Sequence, residues 1–266
     1  MKLTILGSGT SQGIPVPGCD CHVCCSTDPR DKRMRSSLYV EGRNGEAVVI
    51  DTGPEFRLQA LAAGIKKLDA VLLTHAHADH VHGLDDLRPL CHGGPMPVYG
   101  NSQTICEIME RFSYVFKKTQ KGGGKPRVHP IEVSGRVNAG DLSFTPIPLK
   151  HGLLDILGWR IEEAGTQGAA VYLTDASGIS ETSIAIIGEP QILIINGLRT
   201  RAHETHFTFE EALNWAKKLR AQRTFLTHIC HDYTHKQIEE YCRNFMEKNE
   251  LAATAIPAWD SLVLKI

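Results

Sequence analysis

The sequence HAHADH, residues 75–80, is the most informative part of this 266-residue chain, and it directly follows the apolar segment Val71–Leu73. The apolar segment predicts a buried β-strand. Alternation along an extended chain would turn His75 and His77 to the same side, with Asp79 following. Three imidazoles and a carboxylate this close together would crowd and repel protons unless a cation lay between them, and zinc, manganese and iron accept these ligands. The sequence therefore predicts a metal site at a strand end.

This HxHxDH run resembles the signature of the metallo-β-lactamase superfamily, and the chain is similar to that superfamily over nearly its whole length. Strand-like segments occur in both halves, with helical segments between and after them, which favours two sheets with helices outside. The resemblance implies an α/β fold, a four-layer αβ/βα sandwich of two mixed β-sheets flanked by helices. We expect a single domain of this kind over residues 1–266.

The resemblance also implies a complete set of ligands for two divalent ions, zinc or manganese. Three later ligands each follow a predicted strand: His151, Asp175 and His228. One ion would be held by His75, His77 and His151, and the other by Asp79, His80 and His228, with Asp175 bridging the two. Two such ions about 3.5–4 Å apart make hydroxide available near neutral pH, and they neutralise charge on an attacked phosphoryl or carbonyl group. Asp79 would orient the water as well as bind metal.

A second metal site is predicted in the N-terminal loop at about residues 17–29, which contains Cys19, Cys21 and Cys24. Three thiolates can surround one zinc ion, and a tetrahedral structural site needs a fourth ligand. His231 is a candidate because it lies three residues after His228 and could face the other way. The resemblance narrows here to the PhnP-like cyclic phosphodiesterase subfamily, which implies that these four residues bind a structural zinc.

The remaining cysteines receive other predictions. Cys25 and His22 are rival ligands for the structural zinc. Four further cysteines lack metal-binding spacing and are predicted to be small buried apolar side chains; they are Cys91, Cys106, Cys230 and Cys242.

A general acid is predicted in residues 199–206, after the strand-like segment Ile192–Ile195. In similar proteins a histidine of this region lies beside the leaving group. His206, just before a predicted helix, matches best, and His203 is the alternative. A protonated imidazole there could donate its proton to the departing oxygen. Arg199 and Arg201 either pair with phosphate oxygens or lie solvated on the surface.

Composition excludes several classes of protein. No apolar run approaches the ~20 residues of a membrane span, and Gly7 interrupts the N-terminal apolar segment too early for a signal peptide. We therefore expect no membrane association and a cytoplasmic location, where cysteines stay reduced. The net charge of −1 disfavours a long nucleic acid as partner. The basic, glycine-rich segment 117–127 is predicted to be a mobile loop.

These observations favour a dinuclear metal-dependent hydrolase, most simply a phosphodiesterase for small anionic cyclic phosphodiesters or nucleotides. One alternative is a ribonuclease Z-like tRNA 3′ endonuclease, which needs a long basic arm that only segment 117–127 could supply. Others are a thioester or lactone hydrolase and a non-catalytic metabolite-binding protein. A homodimer is compatible with the sequence.

Overall fold

The computed structural model describes residues 1–91, 93–117 and 124–266. Its strands are β1 (Lys2–Gly7), β2 (Ser37–Glu41), β3 (Ala47–Ile50), β4 (Ala70–Leu72), β5 (Met96–Gly100), β6 (Val128–Glu132), β7 (Val137–Ala139), β8 (Leu142–His151), β9 (Leu154–Glu163), β10 (Ala170–Leu173), β11 (Gly178–Ile179), β12 (Ile192–Asn196), β13 (Arg223–Thr227), β14 (Thr254–Pro257) and β15 (Val263–Lys265). The helices are α1 (Phe56–Ala62), α2 (Ala78–Val81), α3 (Ser102–Arg111), α4 (Ser113–Phe116), α5 (Glu181–Ile187), α6 (Phe209–Lys218) and α7 (His235–Lys248).

The strands form two mixed sheets. The first has the order β15-β1-β2-β3-β4-β5-β6, and its strands β3 to β6 run parallel. The second has the order β11-β8-β9-β10-β12-β13-β14, with β7 also paired to β8, and its strands β10, β12, β13 and β14 run parallel. Helices flank both sheets. The expected αβ/βα sandwich is confirmed.

Alternating side chains of the central strands pack into two different layers, one between the sheets and one beneath the outer helices. In β12, Ile192 and Ile194 belong to the cluster of apolar side chains between the sheets, together with Leu72 and Trp159. Leu193, between those two isoleucines, packs instead with the outer helices α6 and α7. Strands covered on both faces read as continuous apolar runs. Because β12 is buried on both faces, the residues at its carboxyl end have little freedom to move.

Two local predictions are wrong. The chain leaves the extended conformation after His77, and α2 begins at Ala78, so Asp79 lies on a helical turn and does not continue the alternation. Cys106 is exposed on α3, whereas Cys91, Cys230 and Cys242 are buried as expected.

Three further points concern the remaining elements. Residues 84–90 form a 3-10 helix, and Pro89 within it lacks the N–H that a regular α-helical turn needs. Residues 118–123 of the expected mobile loop lie outside the described residues. Within the described ranges, every helix is too short or too polar to cross a lipid bilayer.

Candidate metal centre

The predicted ligands lie where strands of both sheets end. His75 comes three residues after β4, His151 is the last residue of β8, Asp175 comes two residues after β10, and His228 directly follows β13. The fold places these ends at one edge of the sandwich. Candidate ligand atoms within each of two groups lie within 4.8 Å of one another; the groups are His75, His77 and His151, and Asp79, His80, Asp175 and His228. These are the two sets that the resemblance implies.

Asp175 lies at the junction of the two groups. Its Oδ2 is 3.2 Å from Nε2 of His80, and its Oδ1 is 3.2 Å from Nε2 of His228. One ligand atom of Asp175 also lies within 4.8 Å of a ring nitrogen of His151 and of His206. The bridging role predicted for Asp175 is therefore geometrically possible, because its carboxylate contacts one group and adjoins the other.

Three imidazoles of the centre are held through their Nδ1 atoms by outer partners. His80 Nδ1 is 2.7 Å from Oδ2 of Asp51, and His151 Nδ1 is 2.8 Å from the carbonyl oxygen of Thr205. His228 Nδ1 is 3.4 Å from the hydroxyl of Ser36. Such contacts fix ring orientation and leave Nε2 free to bind a metal.

The charges of the second group favour a cation between its members. Burial alone would raise the pKa of Asp79 and Asp175, but neighbouring imidazoles lower the pKa of both carboxyls below the usual value. Burial would lower the pKa of His80, but Asp79, Asp175 and Asp51 hold it well above its usual value. The same carboxylates would favour a divalent ion at this place. Carboxylate oxygens and imidazole nitrogens suit zinc and manganese, so these four residues fit a metal centre.

The first group has the opposite character. Burial lowers the pKa of His75 and of His77, and neighbouring imidazoles lower it further. The two rings are already close, with His75 Nε2 and His77 Nδ1 2.9 Å apart. Neutral imidazole is the form that binds metal, so these rings suit a cation without first losing a proton.

Sequence reasoning missed Asp51, a fully buried carboxylate beside the centre. Its oxygens accept hydrogen bonds from the backbone N–H and the hydroxyl of Thr74, both at 2.8 Å. Asp51 thereby ties the end of β3 to the residue preceding His75, and it also contacts His80. A signal was present, since Asp51 directly follows the buried strand β3, as Asp175 closely follows β10.

We expect Asp51→Asn to weaken metal binding at the second group by about 10- to 100-fold, as observed for outer partners of metal ligands. An amide can keep the bond from Thr74, but its NH₂ would face the Nδ1 proton of His80. The measurement is the manganese concentration that half-saturates activity. Asp86→Asn, on the 3-10 helix that follows α2, is the matched control. An unchanged manganese requirement in Asp51→Asn would contradict this role.

Three residues of this edge adopt the left-handed backbone region. The φ angles are +64° for Asp51, +58° for Asp175 and +55° for His228. This conformation is uncommon outside glycine and persists only where surrounding contacts fix it. Asn196 supplies such contacts next to Asp175, because its side-chain amide exchanges hydrogen bonds of 2.8 and 3.0 Å with the backbone of Ala176.

His206 lies beside the two groups, whereas His203 lies farther out. His206 Nδ1 is 3.7 Å from Oδ1 of Asp175, and its ring centroid is 4.7 Å from that of His228. Burial and the imidazole of His228 lower the pKa of His206 to about 3. The ring is therefore neutral at neutral pH, which differs from the protonated imidazole that the sequence suggested. His203 is exposed, 5.0 Å from His206 between ring centroids.

The arginines of this region have different surroundings. Arg201 is exposed, and its guanidinium donates a hydrogen bond of 2.9 Å to Oδ2 of Asp232. Arg199 is half-buried, and its backbone carbonyl accepts from the N–H of Phe209 at the start of α6. Arg201 thus lies on the surface with an ion-pair partner, which agrees with the second of the two alternatives, a solvated surface arginine.

The cysteine loop folds against the segment that follows β13. Nδ1 of His231 lies 3.4 Å from Sγ of Cys19 and 3.5 Å from Sγ of both Cys21 and Cys24. Cys25 is exposed and stands outside this group of ligand atoms, as does His22. Three sulfurs around one imidazole nitrogen suit a tetrahedral zinc. His231 faces the cysteine loop, whereas His228 faces the other ligands of the second His and Asp group.

Comparison with known proteins places the chain in a family. A model described as beta-lactamase superfamily domain matches residues 46–229, a range that contains all seven His and Asp residues of the two groups. The structure of a diphosphatase from the PhnP family has 39% sequence identity and a TM-score of 0.86, covering 100% of this chain and 97% of that chain.

Two curated relatives carry other names. An octanoyltransferase of Porphyromonas gingivalis is 41% identical over 87% of this chain, which spans 46% of that protein. A ribonuclease Z of Pyrobaculum arsenaticum is 28% identical over 78% of this chain and 85% of that protein. The names differ, but the family model covers well over half of the chain. The chain is therefore a member of the metallo-β-lactamase superfamily of metal-dependent hydrolases, close to the PhnP-like proteins.

Proposed function

We propose that this protein is a dinuclear metal hydrolase that cleaves phosphodiester or diphosphate linkages in small anionic molecules. The observation that carries the proposal is the pair of ligand groups joined at Asp175, with His206 beside them. His75, His77 and His151 would hold one ion. Asp79, His80 and His228 would hold the other, with Asp175 shared.

The bound ions would supply Lewis acidity and hydroxide near neutral pH. The residues of the chain would do the rest. Asp79, at the rim of the second group, would orient the attacking water, whose oxygen forms a bond to phosphorus as the bond to the leaving oxygen breaks. His206 would hydrogen-bond to that leaving oxygen. An anionic substrate raises the pKa of a nearby imidazole, so His206 could then carry and donate the proton that the leaving oxygen requires.

The class of substrate follows from charge and from similarity. The net charge of −1 disfavours binding along a polyanion. The PhnP-family relative is described as a diphosphatase, which extends the proposal from cyclic phosphodiesters to phosphoanhydrides. We propose a cytoplasmic location because the cysteine group needs reduced thiols.

The curated relatives suggest two competing activities. Ribonuclease Z similarity extends over most of the chain, but the basic segment 117–127 is short for a tRNA-binding arm. The octanoyltransferase is about twice as long as the match, so its name can belong to the part of that protein outside the match. Cleavage of precursor tRNA, hydrolysis of a thioester and simple metabolite binding are possible outcomes of the same assay.

The assay uses chelator-treated protein resupplied with Mn²⁺ or Zn²⁺. The substrates are a 2′,3′-cyclic nucleotide, a ribosyl cyclic phosphate, a dinucleoside diphosphate, a precursor tRNA and an acyl thioester. We expect metal-dependent release of product from at least one of the small phosphate substrates. Turnover of the precursor tRNA or the thioester alone would contradict the proposal, and binding without turnover of any substrate would favour the non-catalytic alternative.

We expect His206→Gln to slow cleavage of a diester with an unactivated alcohol leaving group by about 10²- to 10⁴-fold, the range for general acid catalysis. A diester with a nitrophenolate leaving group, which needs no proton, should be affected much less. His203→Gln distinguishes the two candidates, because a larger selective loss in that variant would assign the acid to His203. Equal losses with both leaving groups would exclude proton donation by His206.

A further inference from the structure

Arg33 is a fully buried arginine behind the cysteine loop. Its Nη1 donates to the carbonyl oxygen of Cys230 at 3.1 Å, and its Nη2 donates to the carbonyl oxygen of Tyr233 at 3.3 Å. Nη2 also lies 3.1 Å from Oδ1 of Asp31, an equally buried carboxylate. Burying a charge is costly unless it is paired and hydrogen-bonded. A buried arginine held on two backbone carbonyls therefore strongly constrains the backbone between them.

The segment between those carbonyls belongs to a loop that contributes one residue to the cysteine group and one to the second His and Asp group. The loop starts at His228, which faces Asp175, and continues to His231, which faces the three cysteine sulfurs. His228 has φ of +55°, a conformation that needs support from its surroundings. Ile229 supplies part of it by pairing its backbone with Ser8 and Thr10, and the Cys230 carbonyl bound by Arg33 lies two residues after His228.

Arg33 and Asp31 also hold the cysteine loop itself. The backbone of Arg33 exchanges hydrogen bonds of 2.8 and 2.9 Å with Ile14, which packs with Val23 and Cys24. Asp31 accepts from the hydroxyl of Ser26 and from the backbone N–H of His235, both at 2.6 Å. The buried pair thus joins both sides of the cysteine group.

We propose that Arg33 is a positioning residue for both metal sites: by clamping the carbonyls of Cys230 and Tyr233 it holds His228 and His231 towards their separate ligand groups. This inference rests on the proposed metal sites. It predicts that loss of the clamp weakens metal binding at the cysteine group and at the Asp79, His80, Asp175, His228 group together, although Arg33 binds no metal.

The test compares Arg33→Met, which keeps the length of the side chain but has no donors, with Arg30→Met. Arg30 is three residues away, and it pairs with Asp28 near the surface. Chelator-treated proteins are titrated with Co²⁺ in reducing buffer. Thiolate-to-cobalt absorption in the near ultraviolet reports the cysteine group, and visible ligand-field absorption that persists in Cys21→Ser protein reports the His and Asp groups. Both readouts are independent of catalysis.

In Arg33→Met we expect affinity for Co²⁺ to fall by about 10- to 100-fold at the cysteine group and at the second His/Asp group, whereas Arg30→Met should match the unmodified protein. Arg33→Lys, which keeps the charge beside Asp31 but loses the two-carbonyl clamp, should lie between them and covers the case in which Arg33→Met does not fold. A lower melting temperature with unchanged Co²⁺ affinities, or a loss at one group only, would overturn the proposal. Unmodified protein that binds Co²⁺ at both sites but hydrolyses nothing would refute the proposed function alone, and absence of thiolate absorption in unmodified protein would refute the structural metal site.

Discussion

Replacing Asp79 by alanine is expected to reduce hydrolysis of the best phosphate substrate by at least about 10³-fold while leaving the protein folded. Loss of one preorganised electrostatic group at a reacting centre costs about 10²- to 10³-fold, and Asp79 combines that role with metal binding. Its Oδ2 lies 3.2 Å from Nε2 of His80, so its removal also weakens the second group. The measurement is kcat at saturating Mn²⁺, with zinc or manganese content determined on the same sample.

The fold should survive because Asp79 lies at the rim of the site, on the four-residue α2, and contributes no apolar packing. Its melting temperature should stay within a few degrees of that of the unmodified protein. Asp86→Ala, on the neighbouring 3-10 helix, is the matched control and should keep full activity. Activity in Asp79→Ala within about tenfold of the unmodified protein would show that this carboxylate neither orients water nor binds an essential ion.

Replacing Cys21 by serine should produce the largest loss of stability among the predicted variants. The sulfur of Cys21 lies 3.5 Å from Nδ1 of His231. The backbone N–H of Cys24 donates a hydrogen bond to this sulfur, which lowers the pKa of the Cys21 thiol to about 6. A thiolate is the form that binds zinc. Metal binding at a closed structural site contributes directly to folding, so we expect a loss of about 3 kcal/mol, or roughly 6–12 °C in melting temperature for a chain of this size.

Cys25→Ser is a demanding control, because Cys25 lies next to Cys24 in sequence but is exposed and outside the ligand group. It should retain both the melting temperature and the zinc content of the unmodified protein. In Cys21→Ser the zinc content should fall by one ion per chain. Equal behaviour of the two serine variants, or full zinc content in Cys21→Ser, would remove the structural-zinc assignment.

Local patterns predicted several of the strands, whereas the sandwich architecture was implied by the resemblance to the superfamily. The apolar segments before His75, Asp175 and His228 predicted the strands β4, β10 and β13, since buried strands have continuous apolar runs. β14 carries no such signal, because its sequence, TAIP, contains one large apolar residue and a proline. The turn into α2 was missed because alternation continues to look plausible through Ala78 even after the backbone has become helical.

The residue types of the candidate metal centre and their order along the chain could be inferred without coordinates, because the HAHADH run is a local feature and the resemblance to the superfamily implies the later ligands. The partners that hold these residues could not. Asp51 meets His80 from a different strand, and Arg33 meets Cys230 across 197 positions of sequence. Such contacts depend on how the two sheets and their loops pack. Packing brings together residues that are far apart in the sequence, and the residues beside each of them do not indicate its partner. The sequence thus specified which candidate ligands are present, whereas only the packing of the sandwich brought Asp51 to His80 and Arg33 to the loop between His228 and Tyr233.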